Sequence, residues 1–214
     1  MKKSIIAAAV AASFVPAAAQ AQDINGARVE VRAGLDQFEL GVEVSDGIDA
    51  LLIEESESGL SYGGEVGYDV GLGGNLFVGP YANLDFSTAG YEEVDDGDVY
   101  SLEAGRNIGV GLRLGVALNP GTGLYAKGGY SNGRLEGEAT ETVMGETTTT
   151  TGSVNRGGWH AGLGGEVAME TGTYFKAEAL YTRYSDEDYD LGNGLVGRAF
   201  GHRLQLLAGI GLRF

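Results

Sequence analysis

At 214 residues, with 43% apolar residues, 38 glycines and three prolines, the chain has the length of a single folded domain, and it is neither collagen-like nor poor in hydrophobic residues. It has no cysteine, which excludes disulfides, thiolate metal sites, a cysteine nucleophile and a lipoprotein anchor. A formal net charge of −16 argues against nucleic acid as a partner, because such binding rests on basic groups that neutralise phosphates.

The first segment, MKKSIIAAAVAASFVPAAAQAQ, sets Lys2 and Lys3 before an apolar run from Ile5 to Val15, followed by the small-residue stop Ala19-Gln20-Ala21. Residues 1–21 read as a secretory signal cleaved after Ala21, with 22–214 as the mature domain. The apolar run is shorter than the roughly 18 to 20 residues of a membrane helix. Loss of Lys2 and Lys3 takes the balance from −16 to −18.

From there a period of two recurs. In ARVEVRAGLD (27–36), Val29, Val31, Ala33 and Leu35 share one face, and Arg28, Glu30, Arg32 and Asp36 share the other. Similar runs occupy 60–70, 76–86, 101–118, 124–133, 157–169, 173–184 and 202–214, which makes eight expected strands. Their connections alternate between long (41–59, 87–100, 134–156, 185–201) and short (71–75, 119–123, 170–172). The short ones, GLGGN, NPGTG and ETG, suit tight hairpins. Such alternation describes an up-and-down meander with its long loops at one end, as in transmembrane barrels with short periplasmic turns and long extracellular loops.

Facing agrees with that reading. The apolar parity collects Val66, Tyr68, Val78, Leu84, Ile108, Val110, Leu112, Leu114, Leu163, Val167, Phe175, Leu206, Ile210 and Leu212, and no other element is available to cover it. The opposite parity holds charge and glycine, so the chain reads inside out relative to a soluble barrel. The expected lumen has seven cations, Arg28, Arg32, Arg113, Lys127, Lys176, Arg203 and Arg213. Against them stand eight carboxylates, Glu30, Asp36, Glu65, Asp69, Asp85, Glu103, Glu166 and Glu178. A near-balanced interior is what paired buried charge requires, and eight strands leave an interior that side chains fill.

The stretch from about Arg28 to Phe214 resembles the small outer-membrane β-barrel family, the OmpA-like and OmpX-like porin-family barrels. The resemblance lies in LYAKGGYSNG, in YTRYSD and in the terminal GIGLRF. It implies an all-β, eight-stranded antiparallel transmembrane barrel in the bacterial outer membrane, monomeric and without a cofactor. It also implies that Phe214 sits at the periplasmic aromatic girdle and serves as the signal read by the barrel-assembly machinery. The sequence closes at Phe214, so no periplasmic peptidoglycan-binding domain of the OmpA-like kind is expected after the barrel.

The sharper motifs lead elsewhere only weakly. GVGLRLG (109–115) has strand-alternating glycines and no following helix, unlike a phosphate loop. Asp186, Asp188 and Asp190 are spaced like the start of a calcium loop, but Leu191 stands where glycine is needed and Gly197 where the closing glutamate belongs. A solvated acidic loop is the better reading. His160, expected in the upper lumen, and His202, on the outward parity, are the only histidines, and neither sits in a lipase, deacylase or protease motif.

In the third long connection, Met144-Gly145-Glu146 offers a turn that would pair 135–143 with 147–155. Arg106, Arg134 and Arg183 fall on the lipid-facing parity near the extracellular strand ends, where lipopolysaccharide phosphates are expected partners. The expected role is a non-enzymatic barrel supporting envelope integrity and displaying acidic loops. The alternatives are a narrow porin-like channel and an adhesin-like surface protein, with a lipid-modifying barrel enzyme behind both.

Overall fold

The computed structural model describes residues 24–45, 50–95, 98–119, 121–143, 146–169, 172–192 and 195–214. The expected signal segment 1–21 and its cleavage point after Ala21 lie outside the described residues. Ten strands occur among those described: β1 (Gly26–Ser45), β2 (Ala50–Gly73), β3 (Leu76–Ser87), β4 (Gly90–Asp95), β5 (Asp98–Asn119), β6 (Thr122–Val143), β7 (Glu146–Ala168), β8 (Thr173–Tyr184), β9 (Glu187–Gly192) and β10 (Leu195–Arg213). Eight of them form a closed antiparallel ring in the order β1-β2-β3-β5-β6-β7-β8-β10, sealed by β10 against β1 from Arg28↔Arg213 to Ser45↔Val196. Closure removes the unpaired sheet edges that a membrane interior cannot solvate.

Strict alternation makes the ring two-faced. In β8, Tyr174, Lys176, Glu178, Leu180, Thr182 and Tyr184 are buried, while Phe175 on the opposite face is exposed. The outward set includes Val66, Leu84, Ile108, Val110, Leu112, Leu114, Leu163, Ile210 and Leu212, all exposed. On β2 this face runs from Tyr62 to Leu72, which matches the roughly 9 to 11 residues a tilted strand needs to cross hydrocarbon.

At one end of the ring the strands join by tight turns. Gly74 (φ 60°) and Asn75 (φ 71°) form a two-residue hairpin loop between Gly73 and Leu76, with both central residues left-handed, as a type I′ turn requires.

At the other end the expected long loops are mostly strand, and the ring divides. β2 leaves β3 beyond Leu60, and β7 leaves β8 beyond Gly157. Two four-stranded sheets therefore rise from the ring: β2-β1-β10-β9 on one side and β4-β5-β6-β7 on the other. Both faces of these sheets stand away from the apolar belt, so their sequences lack the hydrophobic alternation that marks the strands below. The hairpin expected at 135–155 forms one residue out of the expected register, with Leu135↔Val154 and Val143↔Glu146, so Glu146 belongs to a strand rather than to the turn.

Expected lumen residue Glu103 is placed differently: it is exposed on the outside. The pairing of β5 with β6 slips between Ala104 and Asn107, and Gly105 and Arg106 lie in that irregularity. Above it Ala104 faces in and Glu103 faces out, because one inserted residue inverts the parity of everything beyond.

The glycines have a specific task inside. Phe77 lies directly opposite Gly115, Tyr81 opposite Gly111, Tyr125 opposite Gly164 and Tyr174 opposite Gly211. In each pair a Cβ on the glycine would collide with the facing ring. The lumen thus admits large rings by leaving their cross-strand neighbours without side chains.

Candidate functional site

The inward faces stack in layers. At the turn end Ile24, Phe77 and Tyr125 form a buried apolar cluster, with Ala117 packed against it. Arg113 stacks on this layer, with its guanidinium carbon 5.2 Å from the Phe77 ring centre and 4.9 Å from that of Tyr125. It donates through Nε to Asp69 (2.8 Å) and through Nη1 to Glu166 (2.8 Å). Arg213 reaches the same two acids, at 3.2 Å and 2.7 Å, and stacks on Tyr174.

The middle of the lumen is organised around two glutamates. Glu65 accepts from Arg28 (2.7 Å), Arg32 (2.9 Å) and Lys127 (2.6 Å). Glu178 accepts from Arg32 (3.2 Å), Lys127 (3.2 Å), Lys176 (3.3 Å) and the Tyr125 hydroxyl (2.9 Å). Glu30 bonds Lys176 and accepts from Tyr174 at 2.7 Å. Arg32 clamps Asp85 with two parallel bonds, Nε to Oδ1 at 2.8 Å and Nη2 to Oδ2 at 2.5 Å, the fork geometry that suits guanidinium and carboxylate. Nearer the sheets, Arg203 clamps Asp36 in the same way, at 2.7 and 2.6 Å. With Glu103 outside, the buried charges among the described residues are seven cations and seven carboxylates, a formally neutral interior.

His160, expected in the upper lumen, is buried there in a layer with Tyr81 and Ser131, two inward residues that the sequence reading did not name. His160 Nδ1 pairs with the Ser131 hydroxyl at 2.9 Å, and its Nε2 bonds the Tyr81 hydroxyl. Ser131 is 1% exposed and His160 3%. The imidazole is oriented by a phenol where a hydrolytic triad has a carboxylate. His202 instead sits half-buried on the outer face, 3.2 Å from Glu39. Above the lumen charges a second aromatic layer closes the ring: Phe38 and Tyr184 meet edge to face at 6.1 Å, with Ala89, Leu40 and Leu135 around them.

The outer rim holds the remaining candidates. Arg134 pairs with Glu136 (2.9 Å) and donates to Ser153 (3.1 Å), and Arg183 lies 3.3 Å from Asp186. On the outer face of the ring, Trp159 pairs across strands with both Tyr130 and Arg183, and its ring lies 5.7 Å from that of Tyr181. Arg106, in the irregular part of β5, is half-buried and donates to Asn155 at 3.4 Å. Of the acidic run, Asp188 accepts from Arg198 at 2.8 Å, which holds its carboxyl below the usual range, and Asp190 caps the Gly192 amide at 2.9 Å. Phe214 is exposed on the outward side, with its amide bonded to the Ala27 carbonyl at 2.9 Å.

Comparison with known proteins agrees with this architecture. Among curated proteins, none matches the chain in sequence. The outer membrane protease OmpT of Escherichia coli superimposes with a TM-score of 0.52 at 10% identity, covering 88% of this chain and 97% of that one. OprG of Pseudomonas aeruginosa gives a TM-score of 0.48 at 10% identity over 91% of this chain and 100% of its own. The attachment invasion locus protein Ail of Yersinia pestis gives 0.41 at 11% identity over 89% and 100%. At 10% identity the likeness to OmpT is one of fold. The model of the outer membrane protein beta-barrel domain matches residues 5–206, so the chain belongs to that family and is a β-barrel of the bacterial outer membrane.

Proposed function

We propose that the chain is a closed, non-enzymatic barrel that contributes to envelope integrity and presents two acidic sheets outside the cell. The observation that carries this reading is the lumen: fourteen buried charged groups, seven of each sign, fill it, with the Phe77–Tyr125 cluster at the turn end and the Phe38–Tyr184 cluster toward the outer sheets. Paired charges buried in this way are held by geometry and exchange with solvent at high cost, which favours a plug over a conduit. The Ser131–His160 pair lies within this sealed column and lacks a carboxylate on its second ring nitrogen, which supports the non-enzymatic reading. Refolded protein in a planar bilayer is expected to show no steady conductance. Sustained ohmic current from the unmodified chain would instead establish the narrow-channel reading.

A second reading concerns the outer rim, where Arg106, Arg134 and Arg183 stand near the Trp159–Tyr181 ledge, Arg183 directly opposite Trp159. Guanidinium groups at headgroup height suit phosphates, and the outer leaflet presents lipopolysaccharide phosphates to them. Glu136 and Asp186 are the competing partners. The triple variant Arg106→Gln/Arg134→Gln/Arg183→Gln is expected to co-purify less lipopolysaccharide while remaining folded; an unchanged amount would leave the three as ordinary rim charges.

Phe214 is proposed as the residue recognised by the assembly machinery, since its exposed ring faces away from the lumen. Phe214→Ala should reduce insertion into the outer membrane of cells more than it reduces the stability of refolded barrel. Equal insertion of variant and parent would remove that role.

A further inference from the structure

Where the two outer sheets rise from the ring, their bases enclose a cavity of about 230 Å³. Phe38 and Tyr184 line its lumen side, Leu40 and Val42 of β1 form one wall, and Ala104 of β5 with Leu135 of β6 forms the other. The apolar surface continues toward the water: Ile53, paired with Val42, is 54% exposed, and Val154, paired with Leu135, is 49% exposed. Apolar side chains held open to water on both sides of one gap mark a place where something apolar is received.

The groups around the cavity select against charge. Arg203 is clamped by Asp36, the Tyr184 hydroxyl donates to Asn107 at 3.2 Å, and Arg156 bonds Glu187 and, at 2.8 Å, the Tyr189 hydroxyl. Arg106 and Arg134 also border the space, but their guanidinium groups lie on the outer face of β5 and β6 with Asn155, Glu136 and Ser153. Among these residues no unpaired charge points into the cavity, and an ion stripped of its water without gaining a partner is held at high cost. Water in so apolar a space makes few hydrogen bonds itself, so an apolar molecule displaces it with a gain.

We propose that this cavity binds one small neutral hydrocarbon-like molecule, a ring or a short chain, taken up from the water outside the cell. An apolar cavity of about 150 Å³ holds benzene, so this one has room for about nine carbon atoms. That size excludes a phospholipid. Position excludes an acyl chain reaching in from the bilayer: the Trp159–Tyr181 ledge marks the membrane rim, and the cavity begins beyond it, at Arg156 and Tyr184, three residues further along each strand.

The test is NMR of the full barrel, refolded in lipid nanodiscs with its leucine and valine methyl groups labelled, during titration with methylcyclohexane. Cyclohexanecarboxylate and cyclohexylammonium serve as the anionic and cationic rings of similar size. Methyl groups of Leu40, Val42 and Leu135 report the cavity, and those of Leu112 and Leu163, exposed on the lipid face, report partition into the bilayer. Saturable one-to-one shifts of the three cavity residues are expected with methylcyclohexane, and about tenfold weaker binding of either ion. Gly201→Leu fills the cavity from β10, where an added Cβ meets nothing closer than Leu40 at 3.4 Å, and should abolish those shifts while the lipid-facing ones remain. Ala104→Phe fills it from the other side and should do the same. Dispersed lipid-facing methyl signals verify folding; if one variant fails to fold the other decides, and if both fail the comparison of the three rings on the parent chain decides. Cavity methyl groups that shift no more than the lipid-facing ones, equal binding of either ion, or unchanged binding in a folded cavity-filling variant would overturn the proposal.

Discussion

Arg32→Met should lower the unfolding free energy of the refolded barrel by about 3 to 5 kcal/mol, the usual consequence of removing one partner from a buried ion pair. Arg32 is 3% exposed and touches three carboxylates on three other strands: Asp85 on β3, Glu65 on β2 and Glu178 on β8. Without it, Glu65 keeps Arg28 and Lys127, and Glu178 keeps Lys127 and Lys176. Asp85 loses its bidentate clamp and retains the Asn83 amide at 2.7 Å, so the cost concentrates on one buried carboxylate. Methionine fills much of the volume, which isolates the charge effect from a cavity effect. Arg32→Lys keeps the charge but cannot form the fork, and should fall between the two. Urea titration in lipid vesicles, followed through Trp159, the sole tryptophan, measures both. A loss below about 1 kcal/mol, the size of an exposed pair, would mean that water reaches the middle of the lumen, and the closed-barrel reading would fall with it.

The second large effect is expected from Gly164→Val. A Cβ at Gly164 would come within 2.5 Å of the Tyr125 ring carbon Cζ and its hydroxyl. That ring cannot swing aside freely: its hydroxyl donates to Glu178 at 2.9 Å, Arg113 stacks on one face, and Phe77 and Ile24 pack around it. Overpacking of this kind costs about 1 to 3 kcal/mol, and loss of the hydrogen bond to a charged acceptor adds about 1.5 to 3. Folding yield in vesicles should fall sharply, and the folded fraction should unfold at lower urea. Gly152→Val provides the contrast, because nothing lies within 4 Å of a Cβ at that position in the outer hairpin and both yield and midpoint should match the parent. If the two variants behaved alike, the lumen glycines would not be making room for the rings opposite them.

Much of this protein is legible as a one-dimensional pattern. A strand that crosses lipid must turn apolar side chains out on every second residue, so the period of two across Val29–Leu35 or Ile108–Leu114 reports strand, facing and membrane at once. The same parity names the interior charges, since a residue opposite in phase to an outward leucine has only the lumen to enter. It equally marks Phe77, Tyr81, Tyr125 and Tyr174 as inward rings. Parity carries as far as the alternation is unbroken and no farther. At the slip between Ala104 and Asn107 it inverted, and Glu103 left the lumen.

What periodicity cannot contain is the pairing of residues distant in sequence. Arg32 meets Glu178 across 146 positions, and Arg203 meets Asp36 across 167, because ring closure and strand stagger bring inward side chains to a common height. Those contacts turn a list of seven cations and seven acids into one paired network. The outer sheets were hidden for a different reason: with water on both faces nothing forces their residues to alternate, so strands read as loops. Their division into two halves follows from where hydrogen bonding between neighbouring strands stops. Sequence alone determined the strand period, the facing and the membrane; the ring's closure and stagger decided which charges pair and which aromatic residues meet above and below them.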